Sequence, residues 1–199
     1  MPDISKTAQV LRLLAQAYGM PGIPRKRLVK LAYVADILGR QYLGRPLTDL
    51  HWIKDHYGPN ARELPEVTAE LQDLELAEEY TARDGMNRTI YLRASQTPIA
   101  FEFTLGENEV LRYVVDNYLE MDLPEFIDDI VKQTDPFKAV TLTGDDLPMH
   151  IVDGEKRDEI GFDLESILRA EQQAAEGEWV TLADFANGLR ADLTARHTE

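Results

Sequence analysis

The stretch HWIKDHYGPN, residues 51–60, gathers two of the chain's four histidines with Trp52, Lys54, Asp55 and Tyr57. These side chains can ligate metals, move protons or anchor a partner. His51 and His56 are five residues apart, a spacing that does not put both on one helical face. Asp55 joins them only if the loop folds back on itself. H-E-x-x-H and similar tight ligand pairings do not occur, and His150 and His197 stand alone. The acidic neighbours Asp128 and Asp129, or Asp145 and Asp146, are adjacent in sequence, whereas a catalytic pair needs a shared cleft and separated pKa values. No phosphate-binding glycine loop, dinucleotide fingerprint or nucleophile elbow is present. The residues therefore argue against an enzyme: no catalytic residue, no metal ligand and no cofactor is assigned. What remains at 51–60 is a rigid bend. Gly58 can take a positive φ, Pro59 fixes its own φ, and a turn follows. Lys54, Asp55 and His56 then line the rim of a partner groove, with Trp52 and Tyr57 packed against the helix before it.

The elements around this bend are mostly helical. Residues 5–19 place Val10, Leu13, Leu14, Ala17 and Tyr18 on one face, ending at Gly19. In residues 25–45, Leu28, Leu31, Ala35, Leu38 and Tyr42 form a stripe that Tyr33, Val34 and Ile37 widen, as in a central helix with neighbours on several sides. Gly44 closes it and Pro46 prevents its continuation. Pro65 and Glu66 suit the first turn of a helix over about 65–75 that packs Val67, Leu71 and Leu74. Asp84-Gly85, between two alternating segments, predicts a β-hairpin. Two further helices are expected at about 106–120 and 123–134. From about 141 the texture turns acidic and rich in turn formers, an exposed connector leading to two short helical patterns. The expected fold is mainly α (α+β): a compact helical domain over residues 1–140 with a small winged-helix-like hairpin, and a C-terminal helical extension over 141–199.

Charge is unevenly spread. Lys and Arg number 21 against 36 Asp and Glu, for a net charge of −15. Residues 1–60 balance at +5 and residues 61–199 at −20, an asymmetry that orients a charged partner. The basic cluster Arg25, Lys26, Arg27 and Lys30 opens a helix, where positive charge opposes the dipole; such a set either meets an acidic partner or RNA or is a solvated helix end. A helix followed by a hairpin is the outline of a winged-helix DNA-binding unit. Residues 66–79, however, hold six carboxylates and no Lys or Arg, a surface that repels a phosphate backbone. The chain contains no cysteine, which suits a reducing cytoplasm. No apolar run approaches the roughly 18 residues that span a membrane, and the N-terminal stretch lacks a basic n-region and a cleavage site.

Taken together, LVKLAYVADILGRQYLGRPLTDLHWIKDHYGPNARELPEVTAELQDL resembles the Panacea, or SocA-like antitoxin, domain. The resemblance is carried by an apolar helix with Tyr33, Ala35 and Asp36, a Gly44-Arg45-Pro46-Leu47-Thr48 link, an aromatic-containing strand with Trp52 and Lys54, and the Tyr57-Gly58-Pro59 step. The later LGENEVLRYVVDNYLEMDLPEFIDDIVKQTDPF is similar to the family's second half, except that Lys132-Gln133-Thr134 stands where a His is expected. The resemblance spans about residues 5–140. It implies a bacterial or phage antitoxin, encoded beside a toxin and neutralising it by direct protein contact; one branch of the family instead hands its toxin to a protease as an adaptor. For this chain the expected partner is a cognate toxin with a basic surface, opposite the acidic residues 61–199. Trp52, Lys54, His56, Tyr57, Arg25 and Lys26 are its candidate contacts. Homo-oligomers are left open, and a transcriptional regulator is the alternative.

Overall fold

The computed structural model describes residues 4–84, 87–99 and 103–154. The tip of the expected hairpin turn and the C-terminal helical extension from 155 onward lie outside the described residues. Helix α1 spans Lys6–Tyr18, capped by the Ser5 side chain, which accepts from the Ala8 amide, a contact worth about 1 kcal/mol. A two-residue strand β1, Ile23–Pro24, leads directly into α2, Arg25–Leu38. From Arg27 to Leu38 every residue of α2 is buried, as the broad apolar stripe predicts. A π-helical turn, Gly39–Leu43, extends it, and Gly44 stops it in the left-handed region at φ +69°.

Two short strands follow, β2 (Trp52–Ile53) and β3 (Asn60–Ala61), paired antiparallel across the 54–59 turn. Helix α3 spans Leu64–Asp73 with Pro65 in its first turn. It ends in a Schellman arrangement: the Leu76 amide reaches the Leu71 carbonyl and the Glu75 amide that of Gln72. Glu75 holds the left-handed position, φ +56°, where glycine is usual. The hairpin is β4 (Ala77–Asp84) and β5 (Asn87–Ala94), in register from Ala77 opposite Ala94 to Asp84 opposite Asn87. β1 pairs with β5 on its other side, giving the antiparallel order β1-β5-β4.

Helix α4, Leu105–Tyr118, opens with a complete Thr104–Glu107 capping box. The expected helix over 123–134 is irregular: a short α5 (Leu123–Glu125), a π-helical turn over Phe126–Ile130 and a 3-10 turn over Val131–Gln133, before α6, Asp135–Ala139. One hydrophobic core joins α1, α2, the sheet and these later helices.

That core does not end at residue 140. Leu142 to Asp146 are exposed as their composition predicts, but Leu147, Met149 and Val152 are buried in the same core. The backbone of 144–147 lies beside β2: Leu147 donates to the Trp52 carbonyl at 2.7 Å, and Lys54 donates to that of Asp145 at 2.9 Å. Residues 141–154 are thus docked to the bend by buried apolar side chains together with these backbone bonds and are not a free connector.

Candidate functional site

Many of the motif residues point inward, and Leu47, Thr48 and Trp52 meet at Asp36. Its carboxylate, 1% exposed, accepts four hydrogen bonds: from the amides of Leu47 (2.9 Å) and Thr48 (2.8 Å), from the Thr48 hydroxyl (2.5 Å) and from the Trp52 indole (2.8 Å). Asp36 therefore ties the middle of α2 to the link after it and to β2. Burial pushes this carboxyl up to about 6, against the four hydrogen bonds that favour its charged form. Trp52, 3% exposed, also packs edge-on against Tyr33 with centroids 5.2 Å apart. It is an interior residue and offers a partner no surface, so its place among candidate contacts is corrected. The Tyr33 hydroxyl donates to Thr134 Oγ1 at 2.7 Å, since that oxygen gives its own proton to the Val131 carbonyl. Thr134 thus fills the step where a His is expected.

The rest of the link is equally structural. Arg45 reaches buried Glu107 at 3.3 Å, and Lys6 pairs with the same carboxylate, so α1, the link and the N-terminus of α4 share one anion. Pro46 passes the chain on to Leu47 beneath Gly39. A Cβ on Gly39 would stand 2.3 Å from Leu47 Cδ1 and 2.7 Å from the Arg45 carbonyl oxygen.

At the bend, Gly58 has φ +99° and its amide returns to the Asp55 carbonyl at 3.1 Å. Only a residue without Cβ accepts this φ cheaply. The Pro59 carbonyl accepts from the Lys30 ammonium at 2.7 Å. Lys54, expected at a partner groove, folds inward instead: its ammonium donates to the Phe137 and Val140 carbonyls and lies 4.3 Å from the Phe137 ring centroid. Like Trp52 it holds the fold together.

Tyr57 goes the other way. It is 68% exposed and meets α2 only at the helix's first turn, where the Lys26 ammonium lies 5.2 Å from its ring centroid. Tyr57 and Lys26 stand between two hollows. The larger, about 520 Å³, is walled by α2, the bend, the start of α3 and β5. The smaller, about 250 Å³, adds Leu123, Pro124 and Ile127. His56, next to Tyr57 in the chain, is exposed, and Arg25 lines the larger hollow while approaching Glu79 at 3.8 Å. Of the six candidate contacts, Arg25, Lys26 and Tyr57 line the larger hollow, and Trp52 and Lys54 do not.

The basic cluster on α2 is divided rather than solvated. Arg27 is buried and donates to the carbonyls of Tyr118, Leu119 and Met121, closing the C-terminus of α4 where positive charge is favourable. Lys30 is buried, and its desolvation brings its ammonium down to about 8, with Asp55 pulling upward and Lys26 and Lys132 adding to the fall. Arg25 and Lys26 face the hollow. Among the described residues no three His, Asp or Glu side chains lie close enough together to hold a metal ion, and His51 sits against Glu63 at 2.7 Å. No described helix is long and apolar enough to cross a membrane.

A family model described as antitoxin SocA-like, Panacea domain, matches residues 28–136, more than half of the chain. The chain belongs to this family. The matched Panacea span begins inside α2 and ends in α6, narrower than residues 5–140, although α1 shares its core. It contains Asp36, the Gly-Arg-Pro-Leu-Thr link and the Tyr-Gly-Pro bend. Comparison with curated proteins gave no match, and comparison with solved structures gave none either.

Sequence reasoning missed Asp36 as a hub and Glu107 as a shared anion. A buried carboxylate that gathers donors 11, 12 and 16 residues away leaves no local periodic signal. The capping pattern Thr104-x-x-Glu107 was the one cue to the second.

Proposed function

We propose that this protein is the antitoxin of a toxin–antitoxin pair and that it neutralises its toxin by direct protein contact without catalysis. The reading rests on membership of the SocA-like family. The observation that carries its location is Tyr57: an exposed aromatic ring at the crest between two hollows, on a bend whose Trp52 is buried and whose Lys54 folds inward. Aromatic residues fixed on rigid backbone lose little entropy on docking and supply much of the energy of protein interfaces. Tyr57, Lys26, Arg25 and His56 form the contact face in this reading, and the setting is the cytoplasm. Exposed Glu66, Asp73, Glu75 and Glu78 provide a separate acidic face for a toxin with a basic surface.

The test is co-expression with the toxic product of the adjacent gene. Growth rescue together with co-purification of the two chains supports the reading. A toxic neighbour that is neither bound nor neutralised refutes it.

A second reading, a winged-helix regulator, is favoured by α3 leading into the β4-β5 hairpin with β1 as third strand, although β2 and β3 come between α2 and α3. The acidic α3 is unsuited to a phosphate backbone. Salt-sensitive binding to its own operator would bring this reading forward.

A further inference from the structure

The larger hollow concentrates positive charge on a chain whose net charge is −15. Arg25, Lys26, Lys30, Arg62 and Arg88 line it against one carboxylate, Asp55. This arrangement works against stability. Lys26 disfavours the charged form of buried Lys30, and Arg88 stands directly opposite Arg83 across the hairpin, where like charges repel. A cleft walled by low-dielectric protein focuses such a field outward.

Two features distinguish the ligands this field could attract. The cleft floor is apolar, with Val29, Ala61, Leu64 and Ile90. One wall is an unoccupied strand edge: β1 ends at Pro24 opposite Tyr91, and the chain turns into α2. Beyond that point, over Ile90, Thr89 and Arg88, β5 has no strand on this side among the described residues. These same three residues line the cleft. An open edge offers main-chain hydrogen bonds to an extended polypeptide. A nucleic acid cannot extend the sheet along that edge, whereas a polypeptide can.

We propose that the cleft receives an extended acidic segment of the protein partner, added as a strand along β5 at Arg88–Ile90, with its carboxylates toward Arg62, Arg88 and Lys26 and an apolar side chain on the floor. The inference rests on the antitoxin reading for the identity of the partner. It gives the interface two opposite charge patches, an acidic face for the body of the toxin and a basic slot for one acidic strand of it. Such a pairing rejects partners that carry only one of the two.

The test uses the full chain and a short fluorescein-labelled peptide in which Glu alternates with Val and Ser. The same peptide with Lys for Glu and a single-stranded DNA oligonucleotide of equal charge serve as comparators. Fluorescence anisotropy should show saturable, salt-sensitive binding of the Glu peptide only. The double variant Arg62→Glu, Arg88→Glu should weaken it roughly tenfold or more, and Lys138→Glu, on α6, should leave it unchanged. Methyl NMR shifts at Val29, Leu64 and Ile90 of the wild type locate the peptide independently of any variant. No saturable binding, equal loss in the Lys138 variant, shifts elsewhere, or tighter binding of the oligonucleotide would overturn the proposal. Because the peptide assay contains no toxin, growth rescue without peptide binding removes this inference and leaves the antitoxin reading standing.

Discussion

Asp36→Asn is the most informative single change in the interior. Asparagine keeps the shape and leaves one oxygen for the Leu47 and Thr48 amides. Its amide nitrogen replaces Oδ2, which accepts from the Thr48 hydroxyl and the Trp52 indole. The hydroxyl can rotate and become an acceptor, but the indole N–H cannot. One buried donor is stranded against another, which costs about 1–3 kcal/mol at neutral pH. The pH dependence has a definite sign. The folded-state carboxyl titrates near 6 against a usual value of 3.8, with burial as the first cause. Between these values the folded chain holds a proton that the unfolded chain has released. Stability from this group is therefore present at low pH and is lost as pH rises through 6. Asn has no such titration, and all other groups are common to both proteins. The gap between wild type and variant should widen as pH falls from about 7 to 4, by up to roughly 3 kcal/mol. Urea unfolding followed by circular dichroism at several pH values measures it. A gap that narrows toward acid would refute the reasoning, because the four hydrogen bonds would then outweigh burial.

Two further changes test the packing. Gly39→Ala should destabilise by about 1–3 kcal/mol despite alanine's better helix propensity, because the Arg45 carbonyl in the way of its Cβ is backbone and cannot swing aside; thermal melts read this directly. Lys30 gives the opposite pH signature to an ordinary ion pair. With its folded-state value lowered to about 8 from 10.5, the unfolded chain binds the extra proton in that window. Its contribution to stability then rises as pH goes from 8 to 10.5, and wild type should gain on Lys30→Met over that range in matched unfolding curves.

The helices and the hairpin were legible because their signals are local. The 3.6-residue stripe of α2, the Ser5 and Gly19 boundaries of α1 and the Asp84-Gly85 step each lie within a few residues of the element they specify. The bend was harder. Trp52 and Tyr57 are both aromatic, both near one turn, and nothing local says that the first goes under α2 while the second faces solvent. That division is decided by Asp36 and Tyr33, which hold the Trp52 ring from 16 and 19 positions earlier in the chain. Lys54 misled for a similar reason: a lysine after a strand reads as surface, yet free carbonyls near α6 draw it inward. At 141–154 the abundance of acids and turn formers outweighed three apolar residues, although those three are buried and backbone bonds to Trp52 and Lys54 dock the segment. The motif was recognisable as a family pattern before its physical purpose was visible, since that purpose is a set of long-range bonds.

The central claim is that this family motif builds an interior whose outer product is the exposed Tyr57 face. The most direct test is the affinity of purified wild type and Tyr57→Ala for the toxin by titration calorimetry, with melting temperatures measured alongside. The account predicts an unchanged melting temperature, because the ring is 68% exposed, and a loss of affinity of about 30-fold or more, as for an aromatic anchor. Wild-type affinity in Tyr57→Ala would contradict it and move the interface elsewhere on the protein.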